Sequence, residues 1–235
     1  MRVSIEDGVW ARRLRVLEPR LPGTLVVHEV YRSLQGEGTR AGLPCVFVRL
    51  AGCPMRCVYC DTPHAFHQGV ARRLEELIDE VLGYGDRLVQ ITGGEPLVQE
   101  EVYPLMERLA DAGRTVLLET GGGVETSRVD PRVCVILDVK TPGSGEVAAN
   151  VWGNLDRLRA QDEVKFVVCD EADFRWSLEV IDRYRLVERV PVLISPAFGR
   201  VGLEELAGWI LDSRLPLRMQ VQLHKVIWGP DRRGV

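Results

Sequence analysis

The chain has 235 residues, 46% of them hydrophobic and 27% charged, with a formal net charge of −4. That length fits one domain with a sizeable core, and the slight acidity argues against a general nucleic-acid binder. No apolar run approaches the roughly 20 residues a membrane span needs, and the opening MRVSIEDGVW lacks the basic-then-apolar layout of a secretory signal, so the expected compartment is the cytoplasm.

Residues 1–23 read as an N-terminal extension that carries no recognisable chemistry, ending at the break Leu21-Pro-Gly23. Residues 24–235 read as one domain. The stretch 24–31 (TLVVHEVY) is rich in β-branched side chains and predicts a first strand. It runs into Ser33-Leu-Gln-Gly-Glu-Gly38, where two glycines bracket a carboxylate and let the backbone come close to a ligand. Residues 44–50 predict a second strand, which directs Arg49 either to an interior or to an edge ion pair, while Cys45 reads as a small buried hydrophobe. Leu74, Leu77, Ile78, Val81 and Leu82 recur at helical spacing up to Gly83. Further strands are predicted at 88–92, 115–119, 133–139, 164–168, 191–195 and 219–224, and helices at 100–112, 171–186 and 202–213. Strands alternating with amphipathic helices indicate βαβ units and a parallel sheet. Each predicted strand ends in a polar or glycine-rich loop, so the candidate site residues gather at one end of that sheet. Cys134 and Cys169 lie in or at the end of apolar strands and read as core thiols, and the pairs Arg72-Arg73 and Arg232-Arg233 as solvated surface.

The strongest chemical signal is Cys53, Cys57 and Cys60, three thiols at C-x3-C-x2-C spacing. Soft thiolates favour zinc, copper or iron–sulfur clusters, and in a reducing compartment they are ligands rather than staples. No fourth cysteine follows at matching spacing. A structural zinc site is normally closed by four protein ligands, and His64, four residues after Cys60, leaves such a knuckle open as a reading. Alternatively, three cysteines hold a [4Fe–4S] cubane whose fourth iron stays open to bind something else. Gly93-Gly-Glu-Pro96 is the second signal. Taken alone it is an ordinary turn. On the strand that follows the cysteine motif it suits an α-ammonium ligand, through approachable carbonyls and the acceptor Glu95, and it weighs against zinc.

Together, the cysteine motif with Tyr59 before its last thiol and the Gly-Gly-Glu-Pro loop resemble the radical S-adenosylmethionine (SAM) enzymes. Ser33–Gly38, Arg49–Cys53, Tyr59–Thr62, Thr92–Pro96, Glu119-Thr120 and Leu223–Lys225 narrow the resemblance to the 7-carboxy-7-deazaguanine synthases, over about residues 25–230. The resemblance implies a compact α/β fold, a modified partial (β/α)6-type TIM-like barrel. It also implies a lyase that contracts the ring of 6-carboxy-5,6,7,8-tetrahydropterin and releases ammonia, using a [4Fe–4S] cluster, SAM and Mg²⁺. By match of residues, Cys53, Cys57 and Cys60 hold the cluster. Tyr59, Cys60, Asp61, Gly94 and Glu95 line the SAM, with Asp138, Lys140 and Ser195 as further contacts. Leu34, Gln35, Gly36, Glu37, Arg49, Thr92, Glu119 and His224 line the substrate, and Thr62 is a Mg²⁺ ligand. A homodimer and a flavodoxin-like or ferredoxin-like electron donor are implied too. Two departures stand out: Asp138-Val-Lys140 replaces the Ser-Pro-Lys of some members, and five residues follow Pro230, where some members use their last residue to cap the substrate. The competing enzyme is a glycyl-radical activase with the same cluster motif, and the competing non-enzyme a zinc-stabilised binding module.

Overall fold

The computed structural model describes residues 8–19 and 21–235. Among these residues, nine strands form one sheet: β1 (Thr24–Leu34), β2 (Pro44–Leu50), β3 (Val70–Arg73), β4 (Leu88–Gly93), β5 (Thr115–Thr120), β6 (Cys134–Val139), β7 (Glu163–Val168), β8 (Val192–Pro196) and β9 (Arg218–Met219). Their order is β3-β1-β2-β4-β5-β6-β7-β8-β9. β1 pairs antiparallel with both β2 and β3, and from β2 to β9 every pairing is parallel. The helices are α1 (Val9–Arg13), α2 (Leu74–Gly83), α3 (Val102–Asp111), α4 (Gly153–Asp156), α5 (Glu171–Arg183), α6 (Leu203–Ser213) and α7 (Leu223–Ile227). None among the described residues is long and apolar enough to cross a membrane.

The alternation of each strand decides what its two faces do. On the outer face, Val46, Val48, Val89, Ile91, Val116, Leu118, Val135, Leu137, Val164, Phe166, Val192 and Ile194 bury into the main core. The apolar faces of α2, α3, α5 and α6 complete it with Leu77, Leu105, Phe174 and Leu206 among others. The inner face is layered. Cys45, Phe47, Leu88, Leu117, Cys134 and Ile136 fill its floor. Above them the register places Arg49 opposite Thr92, Glu119 opposite Ile136, Asp138 opposite Lys165, and Ser195 opposite Val167. Parallel partners share a face, so these polar side chains all point inward.

Most predicted elements lie where the sequence puts them. β3 goes beyond that prediction: Val70–Arg73 is too short and too basic to read as a strand, and pairing with β1 makes it one. The last strand is shorter than expected. Only Arg218 and Met219 pair with β8, because the next residues turn inward to meet acidic groups. Gln220 Nε2 donates to Glu37 at 3.1 Å and Gln222 Nε2 to Glu37 at 2.8 Å and to Asp61 at 2.7 Å. The segment expected to end in an extended His224 winds instead into α7.

Residues 1–7 of the extension lie outside the described residues, as does residue 20. The described part touches the cysteine loop. Leu14 and Leu17 are buried with Val98, and Leu17 packs on Gly52, where a Cβ would meet it at 3.0 Å. Arg13 donates to the Pro54 carbonyl at 2.6 Å and pairs with Glu146 at 3.2 Å, and Glu146 also accepts the Arg56 N–H at 2.6 Å.

Candidate active site

β2 delivers the cysteine loop to the same end of the sheet as the inward polar row. Gly93 and Gly94 make the junction possible. A Cβ on Gly93 would stand 2.1 Å from the Leu50 carbonyl oxygen, and one on Gly94 would stand 2.2 Å from that of Gly52. This close approach lets Gly94 N donate to Leu50 O at 2.9 Å and Glu95 N to Gly52 O at 2.8 Å. The glycines therefore fix the cysteine loop as well as clearing backbone for a ligand.

Glu95 behaves differently from the sequence expectation. Its carboxylate is fully buried and turns away from the cavity, accepting from Leu97 N at 3.1 Å, Thr120 Oγ1 at 2.8 Å and Gly121 N at 2.9 Å. Burial raises its pKa, and these three donors work against the rise. It braces β5 against the loop after β4, a role that a motif on one strand does not reveal.

The other expected residues converge on one cavity of 390 Å³. Its wall includes Leu34 to Glu37, Arg49, the three cysteines, Tyr59 to Thr62, Thr92, Gly94, Glu119, Asp138, Lys140, Ser195 and His224. Residues 230–235 also line it, so Arg232 and Arg233, though exposed as expected, stand at its rim. Arg49 donates from Nε to Glu29 at 2.7 Å and from Nη2 to the Tyr31 hydroxyl at 2.9 Å. His224, half-buried on α7, packs over Gly36, where a Cβ would lie 3.6 Å from its Nδ1. Burial would raise the Asp61 pKa, but Lys225 at 3.3 Å and the Gln222 amide hold it low.

At the centre is a residue the sequence reading passed over. Lys165 on β7 is buried, and its Nζ contacts Glu37 at 2.9 Å, Asp138 at 3.7 Å, and Glu119. Burial alone would lower its pKa; the three carboxylates overrule it and keep the ammonium charged well above the usual lysine range. Gln90, also missed, donates to Glu119 at 2.8 Å and accepts from Gln35. The available signal was a lysine and a glutamine inside runs of apolar strand residues, where an uncompensated polar group is costly. Burial pushes Glu119 up despite Lys165, and Glu37 adds to the rise.

The residues fit the implied groups to different degrees. Among the described residues, the one group of at least three His, Cys, Asp or Glu side chains whose ligand atoms all lie within 4.8 Å of one another is His28, Glu29 and His64. Cys57 and Cys60 pack against the small cluster of Cys53, Met55 and Phe66, so the three thiols lie together at the cavity wall. A cubane takes one sulfur on each of three irons and suits three thiolates without a fourth. His64 faces His28 rather than completing a knuckle, their rings 4.7 Å apart. For SAM, two side chains of the cavity wall carry buried polar atoms without a protein partner, Tyr59 Oη and Asp138 Oδ1. Lys140 Nζ lies 2.9 Å from the other Asp138 oxygen. At Thr62 the hydroxyl lies 3.8 Å from the Cys60 sulfur, a single hard oxygen where Mg²⁺ prefers six.

Comparison with known proteins gives a consistent result. Residues 47–140 match the radical SAM superfamily. The chain is 44% identical over 214 residues to the 7-carboxy-7-deazaguanine synthase of Chlorobaculum tepidum, covering 90% of this chain and 97% of that one. It is 42% identical over 225 residues to the synthase of Koribacter versatilis, covering 89% and 99%. The crystal structure of QueE from Escherichia coli superposes with a TM-score of 0.69 at 25% identity, covering 84% of this chain and 94% of that one.

Proposed function

Because the chain belongs to the 7-carboxy-7-deazaguanine synthase family of the radical SAM superfamily, we propose that it converts 6-carboxy-5,6,7,8-tetrahydropterin to 7-carboxy-7-deazaguanine with release of ammonia. That step belongs to 7-deazapurine and queuosine biosynthesis. The observation that supports this best is the polar row of Arg49, Thr92, Glu119 and Lys165, which shares one cavity with the three cysteines. When bound, the cluster and SAM would supply radical chemistry able to activate a C–H bond of the pterin.

The chain's own residues do the rest. Cys53, Cys57 and Cys60 hold the cluster, and their loop is fixed from one side by Gly93 and Gly94 and from the other by Arg13. Tyr59 and Asp138 offer their unpartnered atoms to SAM, with Asp61, Gly94, Lys140 and Ser195 lining the same wall. Arg49, oriented by Glu29, takes the substrate carboxylate, as a guanidinium does well. Glu119 accepts from the pterin N–H groups, paired with Lys165 and aimed by Gln90 and Thr92. Gln35, Gly36, Glu37, Leu34 and His224 close the substrate side. Mg²⁺ binds at Thr62 only once substrate oxygens complete its shell. Residues 24–235 form the catalytic domain and the first 23 an extension to it. The protein works in the cytoplasm as a homodimer, reduced by a flavodoxin-like or ferredoxin-like donor.

The test of substrate class is Arg49→Met. Losing a charge-assisted pair should weaken binding of the carboxylated pterin by about 10- to 100-fold. Tetrahydropterin lacking the carboxylate should be unaffected. Equal losses for both ligands would contradict the assignment.

A further inference from the structure

β1 and β2 are out of step at one point. Val27 pairs with Leu50 and Glu29 with Arg49, so β1 advances two residues while β2 advances one, and His28 is the extra residue of a bulge. Consecutive strand residues normally face opposite ways, and a bulge re-aims a side chain. His28 and Glu29 thereby both turn toward His64, which lies just beyond the cysteine loop in the turn Pro63–Phe66. The three ligand atoms lie within 4.8 Å of one another, all on half-buried side chains.

From this geometry we infer that His28, Glu29 and His64 form a second metal site, for a borderline divalent ion of the Zn²⁺ class, at the mouth of the cavity. Two imidazoles and one carboxylate are a donor set for first-row ions such as Zn²⁺, not for Mg²⁺. The ligands are already oriented by outer partners, as ligands of bound metals usually are. His28 Nδ1 lies 3.0 Å from the Gln68 carbonyl oxygen, which makes Nδ1 the donor and leaves Nε2 bare for the ion. Arg49 donates to Oε1 of Glu29 at 2.7 Å and fixes that carboxylate. With bonds of about 2.0–2.1 Å, zinc would draw its ligands to about 3.4 Å from one another, a closure that side-chain rotation supplies. Glu29 and His64 both line the cavity, so the ion's remaining positions open toward it. The site makes no use of the cluster cysteines and stands whether or not the proposed reaction is right.

The test is anaerobic calorimetric titration of cluster-loaded protein with Zn²⁺, while iron content and the cluster absorbance are followed to show that iron is not displaced. Wild type should bind one equivalent with micromolar affinity. His28→Ala and His64→Ala should each weaken binding at least ten-fold, and His67→Ala, a histidine outside the group, should leave it unchanged. Zinc-edge X-ray absorption of the one-equivalent complex should show two imidazoles and no sulfur. No binding by wild type, equal affinity in the His28 and His64 variants, or sulfur in the zinc shell would each overturn the site.

Discussion

Lys165→Met removes the cation that touches Glu37, Glu119 and Asp138 together, with a side chain of similar length and no charge. The Lys165 side chain is 6% exposed, and breaking a buried pair by removing one partner costs about 3–5 kcal/mol. For a chain of this size each kcal/mol lowers the melting temperature by about 2–4 °C, so the loss should be about 6–20 °C. Glu119 sets the pH dependence. Its pKa is already raised by burial against the pull of Lys165, and the variant raises it further. A carboxyl whose pKa is higher folded than unfolded loses stability as pH climbs from its unfolded value, about 4.3, through its folded one. The deficit of the variant should therefore be larger at pH 8 than at pH 5. Adding Glu119→Gln should recover part of the loss, because neighbours in one ionic network do not add. Thermal unfolding of cluster-free protein by circular dichroism measures all of this. A shift below about 2 °C, or a deficit that grows toward low pH, would refute Lys165 as the organising charge.

Three further outcomes are expected. Gly94→Ala should cost more than about 3 kcal/mol in denaturant unfolding, since its Cβ would meet the Gly52 carbonyl and that backbone cannot move without dragging Cys53; a neutral variant would mean the cysteine loop is free to shift. Burial pushes the thiol of Cys45 up to about 12 and those of Cys134 and Cys169 to about 11. At pH 8 about one molecule in a thousand or fewer carries the thiolate, so all three should resist iodoacetamide in cluster-loaded protein, and rapid labelling by mass spectrometry would show them exposed or activated. Calorimetry of substrate-free protein should detect no tight Mg²⁺ site, because Thr62 alone offers too few hard oxygens; micromolar affinity would contradict substrate-completed binding.

Much of this was legible in the residues. The cysteine spacing, the Gly-Gly-Glu-Pro loop and the strand–helix alternation sufficed for the sheet and for the end of it that carries the site. What escaped depends on neighbours distant in sequence. Lys165 looks like a polar interruption of a core strand until Glu37, Glu119 and Asp138 arrive from three other segments. Glu95 carries the right motif but spends its oxygens on Thr120 and Gly121, one strand away. The 219–224 stretch has the alternation of a strand and stops being one because Gln220 and Gln222 have acidic partners to reach. The pairing of His28 with Glu29 needs a bulge, and a bulge leaves no mark in the sequence of one strand.

The most direct measurement is anaerobic turnover: reconstituted protein with SAM, a strong reductant, Mg²⁺ and 6-carboxy-5,6,7,8-tetrahydropterin, the products identified by mass spectrometry. Formation of 7-carboxy-7-deazaguanine without stoichiometric loss of SAM is the expected result. Slow release of 5′-deoxyadenosine with no deazaguanine would keep the radical chemistry and contradict the substrate.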